Sequence, residues 1–325
     1  MARDRSTRLQ RRSRIAHAAG AQSGLLTTSQ LRLLGITDDE LRAEIDAQRW
    51  SVVRSHTVRV ADHAEDDRYA QWAAVLACSP RARATDRCTA ALGGLSALVA
   101  AGLEGITTDG LVHVAAPKSS RPLSAPEGVR IHETRRWRDC DVVADPIPRV
   151  RTAMAAVQAA LWARSDREAA LLLVTPVQQR LTTAEAVREC LDTVRRDRRR
   201  SLLRSVANEL VDGVRSLNEL DFAVLCRRRG LPEPSRQVVV HTTNGRAYLD
   251  VRWDRWRVVV EVDGIGHLRL DRWLDDSVRH NEIAVAGDVV LRVPSLGLRL
   301  EPDLHLDLVE RALRRAGWRP GPTGD

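Results

Sequence analysis

The sequence predicts a multidomain α/β protein, and three observations carry that expectation. Short helical patterns followed by an alternating hairpin open the chain. A mixed run of Ala/Leu-rich helices and short strands comes next. The last third reads helix, three strands, helix, strand, helix, centred on Tyr248–His267. At 325 residues the chain has room for two or three domains. The expected divisions are a basic arm and helical module over 1–62, a middle α/β region over 67–193, a helical connector over 194–215 and a C-terminal domain over 216–318. The tail, 319–325, reads R-P-G-P-T-G-D and is expected to be disordered.

Composition narrows the class. Aromatic content is only 3%, so the cores must be built from Val, Leu, Ala and Ile. The net charge of +8 favours a polyanionic partner, nucleic acid before membrane. Lys118 is the single lysine; nearly all the positive charge is arginine, which GC-rich coding also produces. The cysteines, Cys78, Cys88, Cys140, Cys190 and Cys226, form no C-x-x-C pair. That pattern argues against a disulfide framework and a structural zinc, and predicts reduced thiols. No signal-peptide core follows Met1, and the longest nearly apolar stretch, Ala90–Leu103, is shorter than the roughly 18–20 residues of a membrane span. A soluble, cytoplasmic protein with no membrane partner is expected.

Six arginines, Arg3, Arg5, Arg8, Arg11, Arg12 and Arg14, crowd the first fourteen positions against one aspartate. Such an arm either lies along a phosphate backbone or is a disordered solubilising tail. Helical spacing follows at Leu9–Ala21, Ser29–Leu34 and Asp38–Arg49. Thr28 or Ser29 is placed to cap the second helix, and Thr37 the third, with Glu40 completing a capping box. Trp50–Arg54 and Thr57–Ala61 alternate as a hairpin. Three helices and a hairpin make a winged helix-turn-helix, with Asp38–Arg49 in the recognition position. That helix is acidic: Asp38, Asp39, Glu40, Glu44 and Asp46 stand against Arg42 and Arg49. Flanking phosphates repel such a surface, so either the arm and wing carry a DNA contact or the module binds protein.

The middle region is expected to hold helices at Arg68–Cys78 and Arg87–Ala101, with Gly93-Gly94 inside the second permitting close packing. Strands at Leu111–Ala115 and Val129–Glu133 flank a Ser/Pro-rich loop, and helices at Thr152–Ala163, Arg167–Val174 and Ala184–Thr193 follow. His113, His132 and Asp141 read as dispersed surface or strand-edge residues. Arg195–Arg200, R-R-D-R-R-R, opens a helix running through Leu210. It reads as a solvated face or connector, with a phosphate-tracking role as the alternative.

The C-terminal order is helix Leu217–Arg229, strands Gln237–His241, Arg246–Trp253 and Trp256–Asp263, helix Asp271–Ala286, strand Asp288–Val293 and helix Asp303–Ala316. Asn244-Gly245 signals a type I′ hairpin, and Gly287 a helix C-cap. Glu261 and Asp263 are two apart on a β-branched strand, so they share a face, and an antiparallel neighbour brings Asp250 alongside. Unpaired carboxylates are expensive to bury, and three converging ones suit a hard divalent cation. Ser216 and Glu219 form a second capping box, so Glu219 is equally a cap or a site carboxylate.

Two resemblances go further. Gly24–Asp46, G-L-L-T-T-S-Q-L-R-L-L-G-I-T-D-D-E-L-R-A-E-I-D, resembles the N-terminal winged helix of AbiEi-type antitoxins. Leu92–Leu103, Leu111–Pro117 and Arg149–Val157 look like the segment that follows it there. That likeness implies DNA binding and, in a type IV toxin–antitoxin setting, a cognate toxin partner. S-L-N-E-L-D-F (Ser216–Phe222), Y-L-D-V-R-W (Tyr248–Trp253), V-V-E-V-D-G-I-G-H (Val259–His267) and Asp275–Val293 resemble domain-of-unknown-function family 559. That family is similar to the very-short-patch mismatch-repair endonucleases of PD-(D/E)XK, restriction-endonuclease-like fold. The likeness implies a metal-dependent DNA endonuclease, serving mobile-element defence or repair. Asp250, Glu261 and Asp263 would hold Mg2+ or Mn2+, with Glu219 as a further carboxylate. His267 would act as general base or acid, and Arg279 would pair with phosphate or a carboxylate. Asp276 and Arg279 are otherwise a surface ion pair. One departure counts: the superfamily's lysine falls where Asp263 stands, and this domain has no lysine. The alternative is a non-catalytic DNA-binding regulator or antitoxin with a degenerate nuclease fold.

Overall fold

The computed structural model describes residues 2–54, 56–79, 89–118, 124–144, 146–212, 222–241, 247–264 and 287–320, with the backbone alone at 2–9, 236, 238–241 and 247–250. It is mixed α/β, with three sheets among the described residues. The chain divides into two compact units, Met1–Trp162 and Ala163–Asp325.

The first unit opens on helix α1 (Ala2–Ala21), so the arginine-rich arm is itself helical and the helix starts well before the expected Leu9. Strand β1 (Leu25–Thr27), which periodicity did not reveal, leads into α2 (Thr28–Leu33) and α3 (Asp38–Asp46). The cap of α2 is Thr27, not Thr28 or Ser29: its side chain accepts from the Gln30 amide while the Gln30 side chain accepts from the Thr27 amide. Thr37 and Glu40 form the corresponding box on α3, as expected. Strands β2 (Ser51–Arg54) and β3 (Thr57–Arg59) make the expected hairpin. They join β1 in the order β1-β3-β2, all antiparallel. Ile15, Ala19, Leu26, Leu31, Ile36 and Val58 fill the core between these elements.

Helix α4 (Asp67–Ala77) follows. The expected helix Arg87–Ala101 is corrected where it is described: Ala91–Leu92 is strand β4, and only Gly94–Ala100 is helical, as α5. Gly93 is the N-cap of α5 rather than an interior residue. Close packing does require both glycines. A Cβ on Gly93 would lie 2.8 Å from the Ala115 Cβ, and one on Gly94 2.7 Å from the Trp162 ring. Strands β5 (Val112–Pro117), β6 (Val129–Thr134), β7 (Val142–Ala144) and β8 (Pro148–Val150) complete a sheet ordered β6-β5-β4-β8-β7. Helix α6 (Thr152–Trp162) closes the unit.

The second unit begins with α7 (Asp166–Gln178), α8 (Ala184–Asp192) and α9 (Arg200–Asp212). Helix α10 (Phe222–Arg228) leads into β9 (Arg236–His241), β10 (Ala247–Trp253), β11 (Val258–Asp263) and β12 (Val289–Pro294). A short helix α11 (Ser295–Leu300), not expected from the sequence, precedes α12 (Pro302–Arg315). The sheet order is β12-β11-β10-β9; β9, β10 and β11 run antiparallel, and β12 lies parallel to β11. One face carries Val251, Trp253, Val258, Val260 and Val262 into a core shared with Phe222 and with Leu306, Val309 and Leu313 of α12. The buried Trp253 donates its Nε1–H to the Pro232 carbonyl at 2.9 Å, so the indole keeps its hydrogen bond. The expected helix Asp271–Ala286 and the Asn244-Gly245 turn lie outside the described residues. Among the described residues, no helix is long and apolar enough to cross a membrane.

Candidate functional site

Alternation decides what the second face of the β9–β12 sheet can carry. With Val258, Val260 and Val262 in the core, Val259, Glu261 and Asp263 fall on the opposite face. The β10–β11 register pairs Asp250 with Glu261 and Tyr248 with Asp263. The backbone therefore places positions 250, 261 and 263 on one face of two adjacent strands. A cross-strand pair has its Cβ atoms only about 5 Å apart, so the register juxtaposes two acidic positions in mid-sheet.

Glu261 is 4% exposed on a strand otherwise made of valines and one aspartate. A carboxylate so placed needs a counter-charge. Arg292 supplies one: it is the parallel-register partner of Glu261 on β12, and its Nε donates to Glu261 Oε2 at 3.2 Å. Asp263, at the strand end, is partly exposed. Sequence reasoning missed Arg292. The available signal was a lone cation in the apolar run V-V-L-R-V, the counterpart of a lone acid in V-V-V-E-V. At the other end of the strands, Asp288 accepts from Arg252 at 2.8 Å and Arg257 at 2.9 Å. The Arg257 hydrogen bond, reinforced by the Arg252 charge, holds its carboxyl below the usual range. This second ion-pair set fixes the β10–β11 turn, where Arg257 adopts φ +55.

The donor set fits a hard divalent cation in kind: carboxylate oxygens, one of them buried, at a strand end. Glu219, His267, Asp276 and Arg279 lie outside the described residues. So do the side chains of Asp250, Arg3, Arg5 and Arg8. Arg12 and Arg14 are exposed on α1. Arg11 turns back on its own unit, donating to the Gly35 carbonyl at 2.8 Å and to Glu40 at 2.6 Å. The acidic α3 is largely neutralised in the same way, by Arg32 to Asp38 at 2.9 Å, Arg42 to Asp39 at 3.0 Å and Arg49 to Glu44 at 2.6 Å.

The expectation that His113 and His132 are dispersed is corrected. They sit on neighbouring parallel strands, offset by two residues in register, and form one chain with Asp109. His113 Nε2 donates to Asp109 Oδ1 at 3.1 Å, and its Nδ1 shares a hydrogen bond with His132 Nε2, also at 3.1 Å. Arg130 donates to the other oxygen of Asp109 at 3.2 Å. The His132 ring stacks on Trp162 with centroids 3.6 Å apart and planes 3° off parallel. Burial, with the charges of His113 and Arg130 adding to it, pushes the His132 imidazole down to about 4. Asp109 lies below its ordinary range: burial opposes this, and the bonds from His113 and the Leu111 amide outweigh it. The two histidines come from β5 and β6, whose pairing single-sequence periodicity does not reveal.

No protein-family model matches this chain, and comparison with curated proteins finds no significant relative.

Proposed function

We propose that the chain is a metal-dependent DNA endonuclease whose C-terminal α/β domain hydrolyses phosphodiesters and whose N-terminal three-helix-and-hairpin module is a DNA-binding winged helix. The observation that carries this reading is the register pair Asp250–Glu261, with Asp263 two residues on, in adjacent central strands. The described strands, an antiparallel β9-β10-β11 run with β12 parallel to β11, support the reading by placing those positions in the middle of one sheet. A bound Mg2+ or Mn2+ supplies Lewis-acid activation of the scissile phosphate and of the attacking water. Asp250, Glu261 and Asp263 are the residues that would hold the ion. Glu219 would add a further carboxylate, His267 would accept or return a proton, and Arg279 would meet the phosphate. Arg292 offsets the Glu261 charge from the neighbouring strand.

Cleavage of plasmid and single-stranded DNA, with and without Mg2+ or Mn2+, tests the reading against Asp250→Ala and Glu261→Gln. Metal-dependent cutting that both variants lose supports it. Absence of cutting by folded wild-type protein overturns it.

A second reading has its own observation. Arg292 already neutralises Glu261, and the domain carries no lysine. Such an ion pair lets the sheet keep Glu261 buried without a bound cation. On this reading the chain is a non-catalytic DNA-binding regulator or antitoxin, with a cognate toxin as its protein partner. A promoter-fragment shift that survives loss of Asp250 and Glu261, without cleavage, favours it.

A further inference from the structure

The run Arg195–Arg200 lines a groove in the second unit. A cavity of about 660 Å³ opens there, walled by Arg195, Arg196, Arg198, Arg200 and Arg204. Asp197 is the single carboxylate in its lining, and it is already engaged, its Oδ1 accepting from the Arg199 amide at 2.9 Å. The run is not a uniformly solvated face. Arg199 is 4% exposed and points inward, donating to Asp166 of α7 at 2.9 Å. Arg200 donates to the Val194 carbonyl, and Arg204 pairs with Asp192 at 3.1 Å. Arg195 and Arg198 are exposed and make no ion pair among the described residues.

The floor of the groove is neutral and polar. Ser201, Ser205 and Asn208 recur on one side of α9 at helical spacing. That helix is held from behind. Arg299 of α11 donates to Ser205 Oγ at 2.6 Å and to the buried Glu209 at 3.0 Å, and Ser295 donates to the other Glu209 oxygen. Leu203, Val206 and Ala207 are buried beneath. Arg200 and Arg204 therefore project from a braced element, and Arg195, Arg196 and Arg198 from the turn that leads into it.

Energetics argue against a passive charge cluster. A helix N-terminus carries partial positive charge, which acidic side chains normally offset. Helix α3 has Asp38, Asp39 and Glu40 in its first turn, and α7 has Asp166 and Glu168. Helix α9 has no acid in its first turn; Asp197, just before it, accepts from the Arg199 amide and is the one acid in the arginine run leading into the helix. Arg195 and Arg198 add exposed positive charge at that end, where an anion is favoured. Planar guanidinium forks with hydroxyl and amide groups beneath them match consecutive phosphate oxygens.

We propose that this groove binds the phosphodiester backbone of a nucleic acid, making it a second contact surface, separate in sequence from the carboxylate strands and from the winged helix. The choice of ligand rests on the DNA-directed reading above; the charge geometry is independent of it. Each arginine that meets a phosphate releases counterions, so the signature is salt-dependent affinity without base preference.

The experiment is a fluorescence-anisotropy titration of labelled duplex DNA with the full chain in EDTA over a salt series. Wild type is compared with Arg195→Ser/Arg198→Ser and with the charge-matched control Arg311→Ser/Arg315→Ser, whose arginines are exposed on α12. The groove variant should bind roughly tenfold more weakly, with its log–log salt slope shallower by about 2, while the control changes little. Equal losses in the two variants, or no loss in the groove variant, overturn the proposal. Unlabelled DNA and RNA of the same sequence compete in parallel arms, and displacement by either supports a polymer ligand. Displacement by pyrophosphate at equal phosphate concentration overturns it in favour of a small polyphosphate. Cleavage is scored separately with metal. Groove-dependent binding without cutting leaves the groove and removes the nuclease; cutting by a groove variant with unaltered binding does the reverse.

Discussion

Two pairs of neighbouring strands carry ionisable side chains where valine or alanine would pack, and they settle the charge differently. In the first unit, Asp109, His113 and His132 hand one hydrogen bond along a line, Arg130 neutralises the acid, and Trp162 covers the last ring. The acid meets its counter-charge inside the cluster. In the second unit, the register sets Asp250 against Glu261 with Asp263 beside them, and Arg292 offsets one charge. Acid outnumbers base at those positions on β10–β12. A closed set holds two strands in place; a set with excess negative charge invites a cation from outside. The two polar clusters differ in their charge balance more than in their burial, since His113 and Glu261 are both buried.

The largest expected effect separates the two clusters by activity. Glu261→Gln keeps the shape of the side chain and removes its charge. If the chain is the proposed nuclease, it should lower metal-dependent cleavage by at least about 100-fold, the upper end for groups one step removed from a metal. His113→Asn should leave the cleavage rate within about twofold where the protein stays folded, because nothing ties that cluster to the chemistry. Equal losses in the two variants, with circular dichroism showing both folded, would sink the distinction.

Packing of the histidine cluster comes next. Gly94 has φ +49, and a Cβ there would meet the Trp162 ring at 2.7 Å. Trp162 is the plate on which His132 stacks. Gly94→Ala should cost about 2–4 kcal/mol, combining left-handed backbone strain with overpacking, and urea denaturation of the first unit reads it. A loss below about 1 kcal/mol would mean that Trp162 moves aside freely, and the closed cluster would not be rigid.

Acid should open the same cluster. His132 takes up a proton only near pH 4 when folded, against about 6.5 for an unrestrained imidazole. The unfolded chain binds that proton first. The stability contribution is therefore complete above about pH 6.5 and is lost as pH falls toward 4. Allowing for partial solvent exposure, the loss is about 1–2 kcal/mol. Thermal melts over that window should slope upward with pH in wild type and flatten in His132→Gln. An unchanged slope in the variant would assign the titration elsewhere.

The elements legible in the sequence were those with strong local signals. The Thr37 capping box, the β2–β3 hairpin and the valine-rich β11 all stand where alternation and capping chemistry put them. Strands β1, β4, β7 and β8 were not legible: each is two or three residues long, and the equally short β3 was legible only as half of an alternating hairpin with β2. Ala91–Leu92 sits in an Ala/Leu-rich run that suits a helix equally well, and only pairing with β5 and β8 makes it a strand. Glu261 and Asp263 were legible because acids interrupt a β-branched run. Arg292 and the His113–His132 contact were not, because each depends on which strands become neighbours across long stretches of chain. Charge, too, misleads when read linearly: Arg199 belongs to a basic run yet is buried against Asp166.

The smallest effects test whether the acidic face of α3 is settled from within, as the histidine cluster is. Glu40 does double work there, accepting from the Thr37 amide at 2.9 Å and from Arg11 at 2.6 Å; these bonds, the amide first, hold its carboxyl below the usual range. Thr37→Ala removes the reciprocal cap and should cost about 1 kcal/mol. Arg42 and Asp39 pair at 3.0 Å, but both are largely in solvent. Arg42→Ala should therefore change stability by no more than about 0.5 kcal/mol at moderate salt. Denaturant midpoints for the two variants check the order. If Arg42→Ala costs as much as Thr37→Ala, the exposed ion pairs form a cooperative network. The acidic helix would then be a closed charge cluster of the first kind, and any DNA contact by this module would have to come from the α1 arginines or the wing.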